Sequence, residues 1–184
     1  MEAGMGPITR AILNAGTHRP VDARAFRAEG LARLVDVNLM GPARCIEALM
    51  PGMIERRSGQ IAIVASVAGY RGLPTAAYYS ATKAGVIAMA ESLRFDCERL
   101  GIDMRVINPG FVRTPLTDKN DFPMPFLMEP DDAARRIVEG LDGTGFEIAF
   151  PVRFVLMLKL MRLLPYRLFF PIASRLTASD RSAE

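Results

Sequence analysis

Apolar positions along this chain come in two kinds of run. Short, nearly unbroken runs bounded by Gly, Asn or Pro read as buried strands, and longer stretches with apolar residues three and four apart read as helices. Ile61-Ala62-Ile63-Val64-Ala65 is continuously apolar, the pattern of a strand covered on both faces in a parallel sheet. Ile8–Leu13 reads as a shorter strand ended by Asn14-Ala15-Gly16, Met104–Ile107 as a third and Phe146–Phe150 as a last one. A helical region is predicted from about Phe26 to Arg57, with Ile46, Leu49, Met50, Met53 and Ile54 as its stripe. Gly41-Pro42 and Pro51-Gly52 predict a kink and an early end to it. The next helix, from about Ala77 to Leu100, carries Val86, Met89, Ala90, Leu93 and Cys97 along one side. Pro130-Asp131-Asp132 opens another, with Ala134, Ile137, Val138 and Leu141 inward and Gly140 and Gly143 ending it. Strands alternating with helices predict an α/β fold on a parallel, doubly wound sheet.

Two stretches depart from this rhythm. Residues 116–129 form a loop rich in apolar side chains, among them Phe122, Met124, Phe126, Leu127 and Met128, and exposed they would make a sticky surface. From Pro151 on, the chain is apolar and basic, with Arg153, Lys159, Arg162, Arg167 and Arg175 and no acid before Asp180. Residues 1–150 are therefore read as one unit and 151–184 as a basic, apolar helical tail divided at Pro165. Such helices lie on membrane surfaces or pack into a partner subunit, so residues 151–176 are a candidate for peripheral membrane contact. No uncharged run is long enough to span a bilayer.

Composition narrows the picture modestly. A chain of 184 residues, half of them apolar, builds a substantial core. The net charge of +3, with no Trp and no basic–aromatic platform, gives no sign of a nucleic-acid partner. Cys45 and Cys97 fall in apolar helical patterns and read as small core residues of a reducing, cytoplasmic compartment. The single histidine, His18, excludes a His-rich metal site, and the N-terminus lacks the layout of a signal peptide.

The candidate chemistry lies in residues 61–86. Ser66 follows the buried strand, and Tyr79 and Lys83 are four apart on the next helix, hence on one face. A free tyrosine titrates near pH ~10, and an ammonium one turn away favours the phenolate, which turns a tyrosine into a proton-transfer catalyst. Ser66 could steady an oxygen of the substrate if the loop folds back onto the helix. Ser66 precedes Tyr79 by thirteen residues, and Tyr79-x-x-x-Lys83 completes a pattern that resembles the short-chain dehydrogenases/reductases. Tyr78, the rival tyrosine, has Thr82 four residues on.

The resemblance implies a Rossmann-like fold and hydride transfer between NAD or NADP and a small carbonyl or alcohol substrate. It implies Tyr79 as general acid/base, Lys83 as its neighbour and ribose contact, Ser66 as the substrate-oxygen anchor, and Asn38, 28 residues before Ser66, as the fourth catalytic residue. Asn14, Ala15 and Gly16 would lie beside the cofactor, and Pro109, Gly110, Val112 and Thr114 would meet its nicotinamide end. The loop at 116–129 falls where the family has a substrate lid, so it is either an apolar substrate wall or a core-plugging loop. The two long helices would offer a homo-oligomer face. The family's Gly-x-x-x-Gly-x-Gly turn has only Gly4-Met5-Gly6 as a near match, ahead of a strand and not after one. The first three strand–helix units of the family are thus expected to be missing, leaving the strand at 8–13 as a bare edge. Two readings follow: a reductase whose start lies upstream of Met1, or a catalytically inactive remnant acting as a dimerisation or membrane-surface module.

Overall fold

The structure, a computed structural model, describes residues 6–119 and 123–177. Phe122 of the apolar loop and residues 178–184 of the tail lie outside the described residues. Four parallel strands form one sheet in sequence order: β1 (Arg10–Leu13), β2 (Gly59–Val64), β3 (Ile102–Pro109) and β4 (Glu147–Phe150). Ala11 stands opposite Ile61, Ile63 opposite Val106, and Ile107 opposite Ile148. Alternate side chains feed two cores, which explains the unbroken apolar run in β2. Ile61, Ile63, Met104 and Val106 face one core, and Ala62, Ile107, Ile148 and Phe150 face the other. Among the described residues β1 pairs with β2 alone, and its Ile12 is exposed.

The predicted first helical region is three segments: α1 (Ala28–Val35), a π-helical turn (Asp36–Met40) and α2 (Gly41–Arg56). The distortion therefore falls one turn ahead of Gly41-Pro42, and Pro42 sits in the first turn of α2, where its missing N–H costs nothing. The early end expected at Pro51-Gly52 does not occur. α2 runs through Pro51 to Arg56, because Ile46 and Met53 on either side of it are buried against the sheet, and that packing outweighs one lost helical bond. Cys45 is also not a core residue. It lies one position off the Ile46–Met53 stripe and is exposed, whereas Cys97 is buried.

α3 (Ala77–Arg99) packs on β3 in the first core with Val86, Ala90 and Cys97 inward. α4 (Pro130–Asp142) covers the second, with Ala133 and Leu141 buried. Gly140 lies inside α4 and does not end it, because the terminal turn is held beyond it. Arg105, buried on β3, donates to the carbonyls of Gly145 and Gly143, each at 2.6 Å, and is itself paired with Asp103. A guanidinium among the last carbonyls of a helix satisfies groups that have no helical partner.

The tail forms α5 (Val152–Leu163) and α6 (Tyr166–Thr177). Phe154, Leu158 and Met161 of α5 and Phe169 and Ala173 of α6 belong to the same core as β2, β3 and α3. Among the described residues no helix is long and apolar enough to cross a membrane.

Candidate active site

Three parallel strands deliver their carboxyl ends to one crevice, where open α/β sheets bind ligands. Asn14-Ala15-Gly16 follows β1 and is exposed, Ser66 lies two residues past β2, and Pro109-Gly110 closes β3. Ser66 caps a single 3₁₀ turn, Val67–Gly69; its hydroxyl accepts from the Ala68 N–H at 3.1 Å. That turn lies directly on α3. A Cβ at Gly69 would stand 2.8 Å from the Lys83 carbonyl carbon and 2.9 Å from its oxygen. Only a glycine permits so close an approach, and it is what folds the loop back onto the helix.

The fold-back brings Ser66 and Tyr79 together on the wall of one cavity. Burial pushes the Tyr79 phenol above its ordinary pKa, and the nearby Ser66 hydroxyl works in the opposite direction without cancelling it. This corrects the expected lowering by Lys83. The Lys83 ammonium donates to the Val64 carbonyl at 2.7 Å and stands 5.7 Å from the centroid of the Tyr79 ring. Burial draws Lys83 itself down to about 8. Below that pH it remains a cation one turn behind the tyrosine. Tyr78, by contrast, is buried away from the crevice and holds both the N–H and the carbonyl of Arg27, at 2.7 and 2.8 Å.

Asn38 sits in the π-helical turn, a local widening that recurs at functional sites. It is fully buried and fully occupied: its amide donates to the Thr17 carbonyl and to Thr82 Oγ1, and its oxygen accepts from the Thr17 N–H. It thereby ties the segment after β1 to α3. A Cβ at Gly16 would lie 3.5 Å from Lys83 Nζ and 3.7 Å from Asn38 Oδ1. Gly16, Asn38 and Lys83 are thus neighbours, with Tyr79 and Ser66 beyond them.

A cavity of about 190 Å³ opens in front of Ser66 and Tyr79. Gly110 lines it, while Pro109, Val112 and Thr114 are half-buried beside it and do not reach it. Val112 pairs with Met128, and the Thr114 backbone is bonded to Thr117, so these two residues fix the loop that follows β3. Leu116, Pro123 and Pro125 of that loop reach the cavity, as do Met157, Leu158 and Ala173 from the tail. His18 joins the site without a signal in the sequence. Its ring packs edge-on against Tyr79 at 4.8 Å and lines the cavity. An isolated histidine in a polar loop carries no pattern that would have revealed this. The tail wall was equally invisible, since Phe154, Met157 and Leu158 read only as helix.

A half-buried polar cluster holds the Ser66 turn and α5 in register. Glu147 accepts from Tyr70, from Asn108 at 2.6 Å and from Lys159 of α5. Burial works to raise the Glu147 pKa, and the bonds from Lys159, Tyr70 and Asn108 overcome it and hold it below the ordinary value. Arg71, next to Tyr70, donates to the carbonyls of Met161, Arg162 and Leu164 at the end of α5.

A family profile described as short chain dehydrogenase matches residues 1–123. An uncharacterized oxidoreductase of Myxococcus xanthus is 37% identical over 176 residues, covering 96% of this chain and 70% of its own. A crystal structure of a short-chain dehydrogenase from Streptomyces avermitilis superposes with a TM-score of 0.75 at 27% identity, over 86% of this chain and 65% of that one. A gluconate 5-dehydrogenase from Burkholderia cenocepacia, solved with NADP and tartrate, is 32% identical with a TM-score of 0.62, over 65% of this chain and 48% of that one. Other curated relatives are matched over about half their length. The matched profile, the parallel sheet and its solved counterparts agree: the chain belongs to the short-chain dehydrogenase family.

Proposed function

We propose that this chain carries the reacting end of an NAD(P)-dependent oxidoreductase that interconverts an apolar carbonyl compound and its alcohol. The observation that carries the reading is that Ser66 and Tyr79 stand together at the wall of a largely apolar cavity, with the Lys83 cation one turn behind the tyrosine.

The residues present suit the nicotinamide and ribose end of such a cofactor. Gly16 leaves a cradle against Lys83 and Asn38 that a Cβ would fill, at the carboxyl end of a parallel strand. Asn14, Ala15, Gly16, Tyr79 and Lys83 would hold the ribose side, and Pro109, Gly110, Val112 and Thr114 the nicotinamide. A bound NAD(P)H would supply the hydride, chemistry that no side chain here offers. The chain's own residues do the rest. Ser66 donates a hydrogen bond to the carbonyl oxygen and fixes it beside the Tyr79 phenol. As the carbonyl carbon gains the hydride, Tyr79 gives its proton to the oxygen, and the alcohol results. The Lys83 ammonium steadies the phenolate left behind, and Asn38 holds the segment after β1 against α3. The apolar wall excludes water and favours substrates with hydrocarbon next to the reacting group. Because burial keeps Tyr79 protonated at neutral pH, reduction is favoured there, and alcohol oxidation, which needs the phenolate, speeds up as pH rises.

The test is turnover of a panel of apolar ketones and aldehydes with NADH and with NADPH. Tyr79→Phe should lower kcat about 10²–10⁴-fold, the range of general acid catalysis. Unchanged turnover in Tyr79→Phe, or no turnover of any carbonyl with either cofactor, contradicts the reading.

A further inference from the structure

The α5–α6 hairpin has two apolar faces, and only one is used. The inner face fills the core and walls the cavity. On the outer face of α5, Val152, Leu156, Leu160 and Leu163 form a stripe at helical spacing, each 55–80% exposed. On α6, Tyr166, Leu168 and Phe170 are each more than half exposed. With Ile172, eight of the sixteen large apolar side chains exposed among the described residues fall between 152 and 172. Concentration of this kind marks a surface that is covered in use.

The charges decide what covers it. Arg153, Arg162, Arg167 and Arg175 are exposed on the same two helices, and no Asp or Glu occurs between Pro151 and Ser179. Lys159 is engaged by Glu147, but none of the four arginines is in a salt bridge among the described residues. A second copy of the chain meeting this patch across a two-fold axis would set arginines against arginines with no acid between them. A bilayer containing anionic lipid offers phosphates to the arginines and hydrocarbon to the stripe. Each helix has 12 residues, too few to span and enough to lie in the interface. The hairpin is also held firmly. Besides its three bonds to the end of α5, the Arg71 guanidinium lies 3.9 Å over the Phe169 ring and 4.7 Å over Tyr166.

We propose that the outer face of α5–α6 docks this protein on an anionic membrane surface. The arginines sit at lipid phosphates, and Leu156, Leu160, Leu163 and Phe170 enter the headgroup–acyl boundary. The cavity wall is the inner face of the same hairpin, so a docked chain would hold its apolar cavity next to the bilayer. That last consequence rests on the proposed function; the docking does not.

The test is sedimentation of the full chain with vesicles of phosphatidylcholine alone or mixed with phosphatidylglycerol, at low and high salt. The chain should pellet with the mixed vesicles and be released by salt. Arg153→Gln and Arg167→Gln should each weaken partitioning about fivefold, the effect of one basic residue near an anionic surface. Leu160→Glu with Leu163→Glu should abolish pelleting while leaving thermal unfolding unchanged, because both side chains are exposed. Equal recovery in the supernatant with both compositions overturns the proposal. So does pelleting that ignores the arginine and leucine variants. A dimer in light scattering that the leucine variant dissociates, without vesicle binding, would give the face to a second copy instead.

Discussion

Gly69→Ala tests the geometry on which the site depends. The new Cβ would lie 2.7 Å from Ile87 Cδ1, 2.8 Å from the Lys83 carbonyl carbon and 2.9 Å from the Lys83 oxygen. The Ile87 methyl can rotate away. The two backbone atoms cannot, because they are part of α3. Carbon atoms in good contact stand at about 3.5 Å, so the turn or the helix must give by about 0.7 Å. Overpacking of this kind costs about 1–3 kcal/mol, which in a chain of this size lowers Tm by roughly 2–12 °C. The same displacement separates Ser66 from Tyr79. A shift approaching 1 Å at a reacting group costs up to about 10²-fold in rate, so kcat should fall about 10- to 100-fold. Thermal unfolding and carbonyl-reductase turnover read the two effects. Gly72→Ala is the control: no atom lies within 4 Å of its Cβ position, and neither quantity should move. If Gly69→Ala matches Gly72→Ala in both, the turn is not pinned on α3 and the account of how Ser66 reaches Tyr79 is wrong.

Tyr78→Phe should destabilise the chain by about 1–3 kcal/mol in urea unfolding, because the Arg27 N–H loses its partner and the Arg27 carbonyl keeps only the N–H groups of Gly30 and Leu31, while leaving kcat nearly unchanged. The opposite pattern would exchange the roles of the two tyrosines. Lys83 is drawn from 10.5 down to about 8 by burial, so the unfolded chain binds more protons than the native one between those values. Stability of the wild type should therefore rise by about 3 kcal/mol from pH 8 to 10.5 relative to Lys83→Met, and be lost again as pH falls through 8. Parallel pH profiles for the two proteins would contradict this burial effect. Glu147→Gln removes a half-buried carboxylate that receives three donors and should lower Tm. Since Glu147 is held below its ordinary pKa, its contribution is present above pH 4.5 and fades as pH falls through the native value, so the gap to Glu147→Gln should narrow in acid. A gap that widens in acid would show the sign to be wrong.

Sequence carried the strands and the order of the site because both are local. The apolar run at Ile61–Val64 needs two covered faces, and the structure gives it two cores. The four-residue spacing of Tyr79 and Lys83 fixes them on one side of α3 whatever surrounds them. What was not legible depends on contacts between distant segments. The π-helical turn at Asn38 has no periodicity of its own, and it is held by Thr17 and Thr82 from other elements. Pro51 looked like a stop because the local rule counts one missing hydrogen bond and not the burial of Ile46 and Met53 beside it. The upward shift of Tyr79 follows from burial, and the Lys83 ammonium is held by the Val64 carbonyl of β2; neither is contained in the spacing along a helix. The tail read as basic and apolar in sequence. Only the packing shows which of its apolar residues face inward, and that Phe154, Met157, Leu158, Met161 and Ala173 among them wall the cavity.

The central claim is that the Ser66–Tyr79 pair serves a hydride transfer to a carbonyl, and isotope transfer tests it most directly. The chain is incubated with nicotinamide cofactor deuterated on one face of C4 and an apolar ketone, and the alcohol is analysed by mass spectrometry. The account predicts deuterium on the carbinol carbon from one face of the cofactor only, with the rate collapsing when Ser66→Ala and Tyr79→Phe are combined. Alcohol without deuterium from either face, or label transfer undiminished in the double variant, would contradict it.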